Sequence, residues 1–385
     1  MREIAVIGIG QTPIGELWDQ GLRDLGAESL RAAAADAGIE RPDALFVSNM
    51  LATRLSDQAH LGALLADYAG WRGIEATTVE AACASGGAAF QAALRAVASG
   101  MVEVAAVCGV EKMTEATTGT VTSALATASD ADYEVSQGAS FVALNALVMQ
   151  RYMYEYNVPH EAFAGFSINA HCNAVNNPNA MYRKAITEQQ YKRAPMISDP
   201  INLYDSSPIC DGSASLILAP LEMARELGKP LIVIRASASA TDSLSLADRR
   251  TLLGLDAIKL SADKAYAQAK IKPQDIQVFE AHDAFSIMAA LSLEGCGFAE
   301  AGKGTHLALD GAISPTGRIP ISTMGGLKGR GHPVGATGAY ELVDLVTQLR
   351  GEAGTNQVQG ATLGMAQNIG GTAATVVTHI LERIG

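Results

Sequence analysis

The 385-residue sequence is short of positive charge, with 28 Lys and Arg against 40 Asp and Glu and a formal net charge of −12. Phosphate backbones are gripped by clustered Lys and Arg, so this balance excludes a nucleic-acid partner. It leaves open a small anionic substrate, which needs only a local basic patch. Cysteine is sparse as well. The five residues, Cys83, Cys108, Cys172, Cys210 and Cys296, form no CxxC pair and no short metal-ligand spacing. Such an odd, scattered set excludes a disulfide framework and a cysteine metal site, and reads as reduced thiols in an intracellular enzyme. Residues 3–8, Glu-Ile-Ala-Val-Ile-Gly, read as a strand rather than a basic, apolar signal. Nor is there a long apolar run. The longest uncharged stretch, residues 353–380, is broken by Gly, Asn, Gln and Thr, so no membrane span is expected. Gly8-Ile9-Gly10 after the first strand lacks the third glycine of a dinucleotide fingerprint, since position 13 is Pro13. What remains is a soluble, cytoplasmic α/β chain of two or three domains, 48% hydrophobic and 18% charged.

Glycine is abundant, at 38 residues, and clusters beside cysteine and histidine rather than in a linker. Residues 81–87 read Ala-Ala-Cys-Ala-Ser-Gly-Gly and precede a helical pattern over 88–99. Small neighbours let a bulky substrate approach the Cys83 sulfur. A position at a helix N-terminus favours the thiolate, through free N–H groups and the helix dipole. A buried structural cysteine is the competing reading of this stretch alone.

Along the chain the first half alternates strands (4–8, 44–48, 104–110) with helical patterns (25–37, 88–99). Residues 114–207 form an excursion too long for a simple connection, and such excursions usually shape a binding site. A buried strand returns at 211–220, and Gly228-Lys229-Pro230 marks a boundary. The second half repeats the first in order. Ala37-Gly38-Ile39 with Asp43 is echoed by Ala269-Lys270-Ile271 with Asp275, and the Cys83 turn is echoed by His332 to Gly338. The spacing predicts duplicated α/β halves: 1–113 plus 208–229, and 230–385, with 114–207 as an inserted loop domain.

Three segments then fall where equivalent loops of the two halves can converge. They are Cys83, the strand end Glu280-Ala281-His282-Asp283-Ala284-Phe285, and Gly325-Gly326 with Gly331-His332-Pro333-Val334-Gly335-Ala336-Thr337-Gly338. An imidazole there can take a proton from a thiol or donate to a developing oxyanion. Each histidine alone reads first as a satisfied structural residue, and only the three segments together favour a site.

Over nearly its whole length the chain resembles the thiolase superfamily. The resemblance rests on the Cys83 segment, Glu111 with Met113, Asp211-Gly212-Ser213-Ala214 and the Gly-His-Pro-x-Gly-Ala-Thr-Gly segment. His282-Asp283-Ala284-Phe285, Tyr152-Met153 and Asn177-Pro178 place it nearest the sterol-carrier-protein-type and archaeal members. That resemblance implies a layered αβαβα fold and acyl transfer on coenzyme A. Cys83 would carry the acyl group as a thioester and His332 would activate its thiol. His282 and His332 would hold the enolate oxygen, and the backbone N–H groups of Cys83 and Gly370 would form an oxyanion hole. The substrates would be acyl-CoA and CoA, with no further cofactor and no metal. A homodimer or homotetramer is implied, and archaeal-type relatives imply a small zinc-ribbon and OB-fold partner and a hydroxymethylglutaryl-CoA synthase.

One departure stands out. The reactive cysteine that most thiolases carry near the C-terminus is replaced here by Asn368, in Asn368-Ile369-Gly370-Gly371. Ala284 stands where the sterol-carrier pattern offers a substitute cysteine. The α-proton of the second substrate then falls to His282 or His332, with Cys296 read as structural. A Cys-His-His set also fits a decarboxylating, ketoacyl-synthase-like condensing enzyme, which needs no separate base. A third reading is an acyl-binding scaffold that no longer condenses. For CoA phosphates the candidates are Arg183, Lys184, Lys192 and Arg193, whose commoner reading is a solvated helix face, and Lys328 with Arg330.

Overall fold

The computed structural model describes residues 2–385. Five strands build the first half: β1 (Ile4–Gln11), β2 (Ala44–Ser48), β3 (Glu75–Val79), β4 (Ala105–Glu111) and β5 (Gly212–Pro220). Four build the second: β6 (Leu231–Thr241), β7 (Val278–Ala281), β8 (Leu363–Gly370) and β9 (Thr375–Ile384). Their spatial order is β3-β2-β4-β5-β1-β6-β9-β8-β7. The two halves read outward from the centre in the same way. β1–β5 and β5–β4 are antiparallel, then β4–β2 and β2–β3 are parallel. β6–β9 and β9–β8 are antiparallel, then β8–β7 is parallel. Beyond β7, Ile321 makes a parallel bridge to Phe279, in the place that β3 takes in the first half. This is the duplication expected from the sequence, seen in strand direction as well as in order. The halves join edge to edge through Ala5↔Val233 and Val6↔Ile232.

Seven longer helices matter for the site: α1 (Leu22–Ala37), α2 (Ser85–Ser99), α3 (Phe141–Tyr156), α4 (Ala164–Ala174), α5 (Asp256–Ala269), α6 (Ser286–Gly295) and α7 (Thr337–Arg350). α2 and α7 are equivalents, each running from a reactive turn into the strand that follows. Phe90 and Val97 of α2, with Tyr340 and Val346 of α7, pack between Val107 and Leu218 of one half and Ile232 and Val278 of the other. Burying each such large apolar side chain contributes about 1.5–3 kcal/mol. α1 covers the outer face of the first half through Leu25, Leu30 and Ala33. α5 covers the second through Ile258, Ala262 and Ala265. The result is five layers, αβαβα. The Ala-Gly-Ile and Ala-Lys-Ile triplets do close equivalent helices, with Gly38 and Lys270 both left-handed at φ 69° and 58°.

Residues 114–207 carry α3 and α4. Leu144, Met149, Tyr152, Phe163 and Phe166 share one core with Ile287, Leu291, Ile321 and Ile369 of the second half. The segment therefore roofs the second half rather than enclosing a core of its own. Among the described residues no helix is long and apolar enough to cross a membrane.

Candidate active site

α2 begins three residues earlier than the apolar periodicity indicates, at Ser85. The Ser85 hydroxyl explains the start. It accepts the Ala81 N–H at 2.8 Å and donates to the Ala82 carbonyl at 2.6 Å. Ala82 is held at φ 52°, a left-handed conformation that costs an L-residue about 1–2 kcal/mol. This sharp turn places Cys83 just ahead of the helix and facing a cavity of about 780 Å³. Two glycines allow the approach of the second half. A Cβ on Gly86 would stand 2.6 Å from the Ala339 nitrogen, and one on Gly338 would stand 2.2 Å from Asn368 Oδ1. No side chain fits at either place, so the N-terminal turns of α2 and α7 abut directly.

His282 and His332, from the second half, line the same cavity as Cys83. Their rings are 5.1 Å apart, edge to face at 84°. His332 is fixed at both ends: its N–H donates to Cys210 Sγ at 3.0 Å, and Nδ1 meets Thr337 Oγ1 at 2.6 Å. His282 Nδ1 lies 3.0 Å from Glu341 Oε1 and 3.2 Å from Asn368 Nδ2. Among the described residues, no protein group bonds to Nε2 of either ring, and both rings border the cavity. Burial keeps both imidazoles neutral. It pushes the His282 pKa down to about 3, against an opposing pull from Asp283, and holds that of His332 well below 6.5.

The helix terminus does not make Cys83 a resting thiolate. Burial, and then the Glu111 carboxyl, push the thiol up to about 12, against the N–H groups of Gly371 and of Cys83 itself. Desolvation outweighs the dipole here. Gly371 borders the cavity, while the Gly370 α-carbon packs against the Ala81 carbonyl, where a Cβ would stand 2.4 Å from the oxygen. Glu111 serves as a clamp: Oε2 accepts the Met50 and Gly335 N–H groups, and Oε1 accepts the Leu51 N–H and the Asn49 amide. It ties the His332 loop to the first half although burial lifts its pKa to about 7.

The basic groups separate. Lys328 and Arg330 are buried and face Asp283 and Asp344, so they form no phosphate patch. The reason is local: residues 326–330 are buried, and Lys328, although it borders the cavity, donates to the Asp283 carbonyl at 2.8 Å. Lys192 ends a short helix and pairs with Glu188 at 2.5 Å, but Arg183 and Lys184 lie in an irregular stretch, exposed and bordering the cavity. Cys108 and Cys296 are core residues and lie outside the cavity lining. Among the described residues no cluster of His, Cys, Asp and Glu is arranged to hold a metal ion.

Glu341 is a site neighbour that sequence reading misses. The signal was present: α7 is buried nearly all round, yet it carries two carboxyls, Glu341 and Asp344, among Tyr340, Leu342, Val343 and Leu345.

The family model for the thiolase N-terminal domain matches residues 4–222, and that for the thiolase C-terminal domain-like region matches 238–383. The chain belongs to the thiolase family. Among curated thiolase relatives, an acetyl-CoA acetyltransferase of Methanothermobacter thermautotrophicus is 46% identical over 385 residues, covering 100% of both chains. Human sterol carrier protein 2 is 28% identical, covering 98% of this chain and 72% of its own. The solved Ltp2-ChsH2(DUF35) aldolase superposes with a TM-score of 0.85 at 24% identity, covering 99% and 98%, a likeness of fold.

Proposed function

We propose that the chain is an acetyl-CoA acetyltransferase that condenses two acetyl-CoA molecules, or cleaves acetoacetyl-CoA, through an acetyl-Cys83 thioester. The supporting observation is that one buried thiol and two neutral imidazoles from opposite halves face one cavity. His332 takes the thiol proton as Cys83 sulfur attacks the acetyl carbonyl, and passes it to the departing CoA sulfur. The N–H groups of Cys83 and of the Gly370–Gly371 turn stabilise the oxyanion, a contribution of about 10²–10³ in rate per donor. In the second half-reaction, His332 Nε2 takes an α-proton from the second acetyl-CoA while His282 holds the enolate oxygen. The carbanion attacks the thioester carbon, and the thiolate of Cys83 leaves and recovers the proton from His332. Thioester chemistry divides one hard carbon–carbon step into two easier ones. Arg183 and Lys184, exposed at the mouth, meet the phosphates of CoA. The lining, with Phe141, Met288 and Ile369, is apolar enough to shield the thioester from water.

The same reading places the enzyme in the cytoplasm as a homodimer or homotetramer. A small zinc-ribbon and OB-fold protein and a hydroxymethylglutaryl-CoA synthase are its candidate partners. The test is direct. With acetyl-CoA alone, the intact mass should rise by one acetyl group on Cys83, and acetoacetyl-CoA should form. Condensation with malonyl-CoA only would assign the chain to the decarboxylating class instead. Acetylation without turnover would make it a carrier.

A further inference from the structure

Asn368 stands where a reactive cysteine is usual, and it cannot itself move a proton. Its amide is nonetheless oriented by chemistry. Gly87 is the third residue of α2, so its N–H has no partner within the helix. That N–H donates to Asn368 Oδ1 at 3.0 Å, which fixes oxygen toward α2 and nitrogen toward His282 Nδ1 at 3.2 Å. An amide nitrogen only donates, so Nδ1 must present its lone pair.

Glu341 supplies the second constraint. Oε1 lies 3.0 Å from the same Nδ1, and Oε2 is buried without a partner. An ionised carboxylate so placed would leave one charged oxygen unsatisfied and set the other against the Nδ1 lone pair. Arg330 donates to Asp344 through Nη1, and although its Nε and Nη2 are also without partners among the described residues, no hydrogen bond joins it to either oxygen of Glu341. A neutral carboxylic acid fits: its O–H donates to Nδ1 at 3.0 Å and shares the single lone pair there with the longer Asn368 contact at 3.2 Å. Burial, reinforced by Asp283 and Asp344, raises the Glu341 pKa well above 4.5 in spite of Arg330.

We propose that Asn368 and a protonated Glu341 act as positioning residues that lock His282 in its Nε2–H form, aimed into the cavity. His282 is then a committed hydrogen-bond donor for the enolate oxygen and no base, which leaves the α-proton to His332. No proton is lost or gained by the pair during turnover. This assignment rests on the acetyltransferase reading for its consequence, but not for the tautomer itself.

The first measurement needs no variant and no activity. Two-bond proton–nitrogen correlation on full-length protein with ¹⁵N-labelled histidine should show His282 protonated at Nε2 and bare at Nδ1. His282→Gln identifies the signal. A proton on Nδ1 overturns the proposal. The second uses kinetics. Glu341→Leu should lower kcat for condensation by about 10²–10³, the worth of one oxyanion donor, with KM little changed. The Glu341→Gln amide can still donate to Nδ1, and it should restore at least a tenth of the wild-type rate. Rescue failing, with Glu341→Gln no better than Glu341→Leu, refutes a neutral donor and points to proton transfer through Glu341. Asn368→Asp, which offers Nδ1 an acceptor, should move the proton to Nδ1 and cost a similar factor. In each variant, acetylation of Cys83 by acetyl-CoA should fall by a smaller factor than condensation, and an equal or larger fall would assign the loss to the acylation step and overturn the proposed role. If wild-type Cys83 is never acetylated, the acetyltransferase reading fails while the tautomer result stands or falls separately.

Discussion

His332→Ala isolates the consequence of burying a nucleophile. Cys83 is lifted from 9.0 to about 12, chiefly by burial. At pH 7 a thiol with that pKa is ionised to roughly one part in 10⁵, about a thousandfold less than an ordinary one. The deficit corresponds to about 4 kcal/mol of barrier if the thiolate had to form unaided. A base in place removes that barrier, and His332, kept unprotonated by burial, stays competent throughout the neutral range. Without it, acetylation should slow by about 10²–10⁴. The surviving rate should climb about tenfold per pH unit between roughly pH 7 and 10, because it then follows the free thiolate. Wild type should be nearly flat over the same interval. Rapid quench of enzyme with acetyl-CoA, read by intact mass, measures both rates, with Cys83→Ala as the blank. A His332→Ala enzyme acetylated within tenfold of wild type at pH 7, or with no pH slope, would refute the reasoning.

Reversing the two charges at the mouth, with Arg183→Glu and Lys184→Glu together, should raise KM for acetyl-CoA by about tenfold or more. kcat should hold, and the effect should shrink in high salt. Asp211 is buried and bonded to Lys112 at 2.8 Å and to the N–H groups of Met113 and Thr114. Burial opposes its charge, but these partners hold its pKa below 3.8, so its stabilisation is full above that value and fades as the pH falls through the folded pKa. Asp211→Asn should therefore cost about 3–5 kcal/mol in urea unfolding at pH 7, with the gap to wild type narrowing as the pH falls below 3.8. Gly338→Ala would set a methyl 2.4 Å from the Gly87 nitrogen and 2.2 Å from Asn368 Oδ1. We expect a loss of about 1–3 kcal/mol in the same assay, and condensation more impaired than acetylation.

The duplicated architecture was legible because both halves keep the same order of apolar strands, helices and stops. Gly38 and Lys270 end equivalent helices despite different chemistry. Cys83 and His332 were legible because glycine and alanine crowd around each, at equivalent turns. What escaped is set by contacts between residues far apart in the chain. Lys328 and Arg330 look like surface cations until Asp283 and Asp344 are seen facing them. The thiolate expectation failed for the same reason, since the desolvating wall around Cys83 comes from segments distant in sequence. Asn368 was legible as a missing cysteine, but its partners Gly87, 281 residues away, and His282 were not.

The abutting glycine-lined turns of α2 and α7 have a consequence for how the activity can be lost. The thiol belongs to one half, both imidazoles belong to the other, and Asn368 closes an open N–H of the thiol's own helix. A slight parting of the halves along that seam would strip the sulfur of its base, free the Gly87 N–H and release His282 from its tautomer in one event. A parting of the halves would therefore remove the base and the desolvation together, so the opened molecule would carry a solvated cysteine of about ordinary reactivity rather than an activated nucleophile.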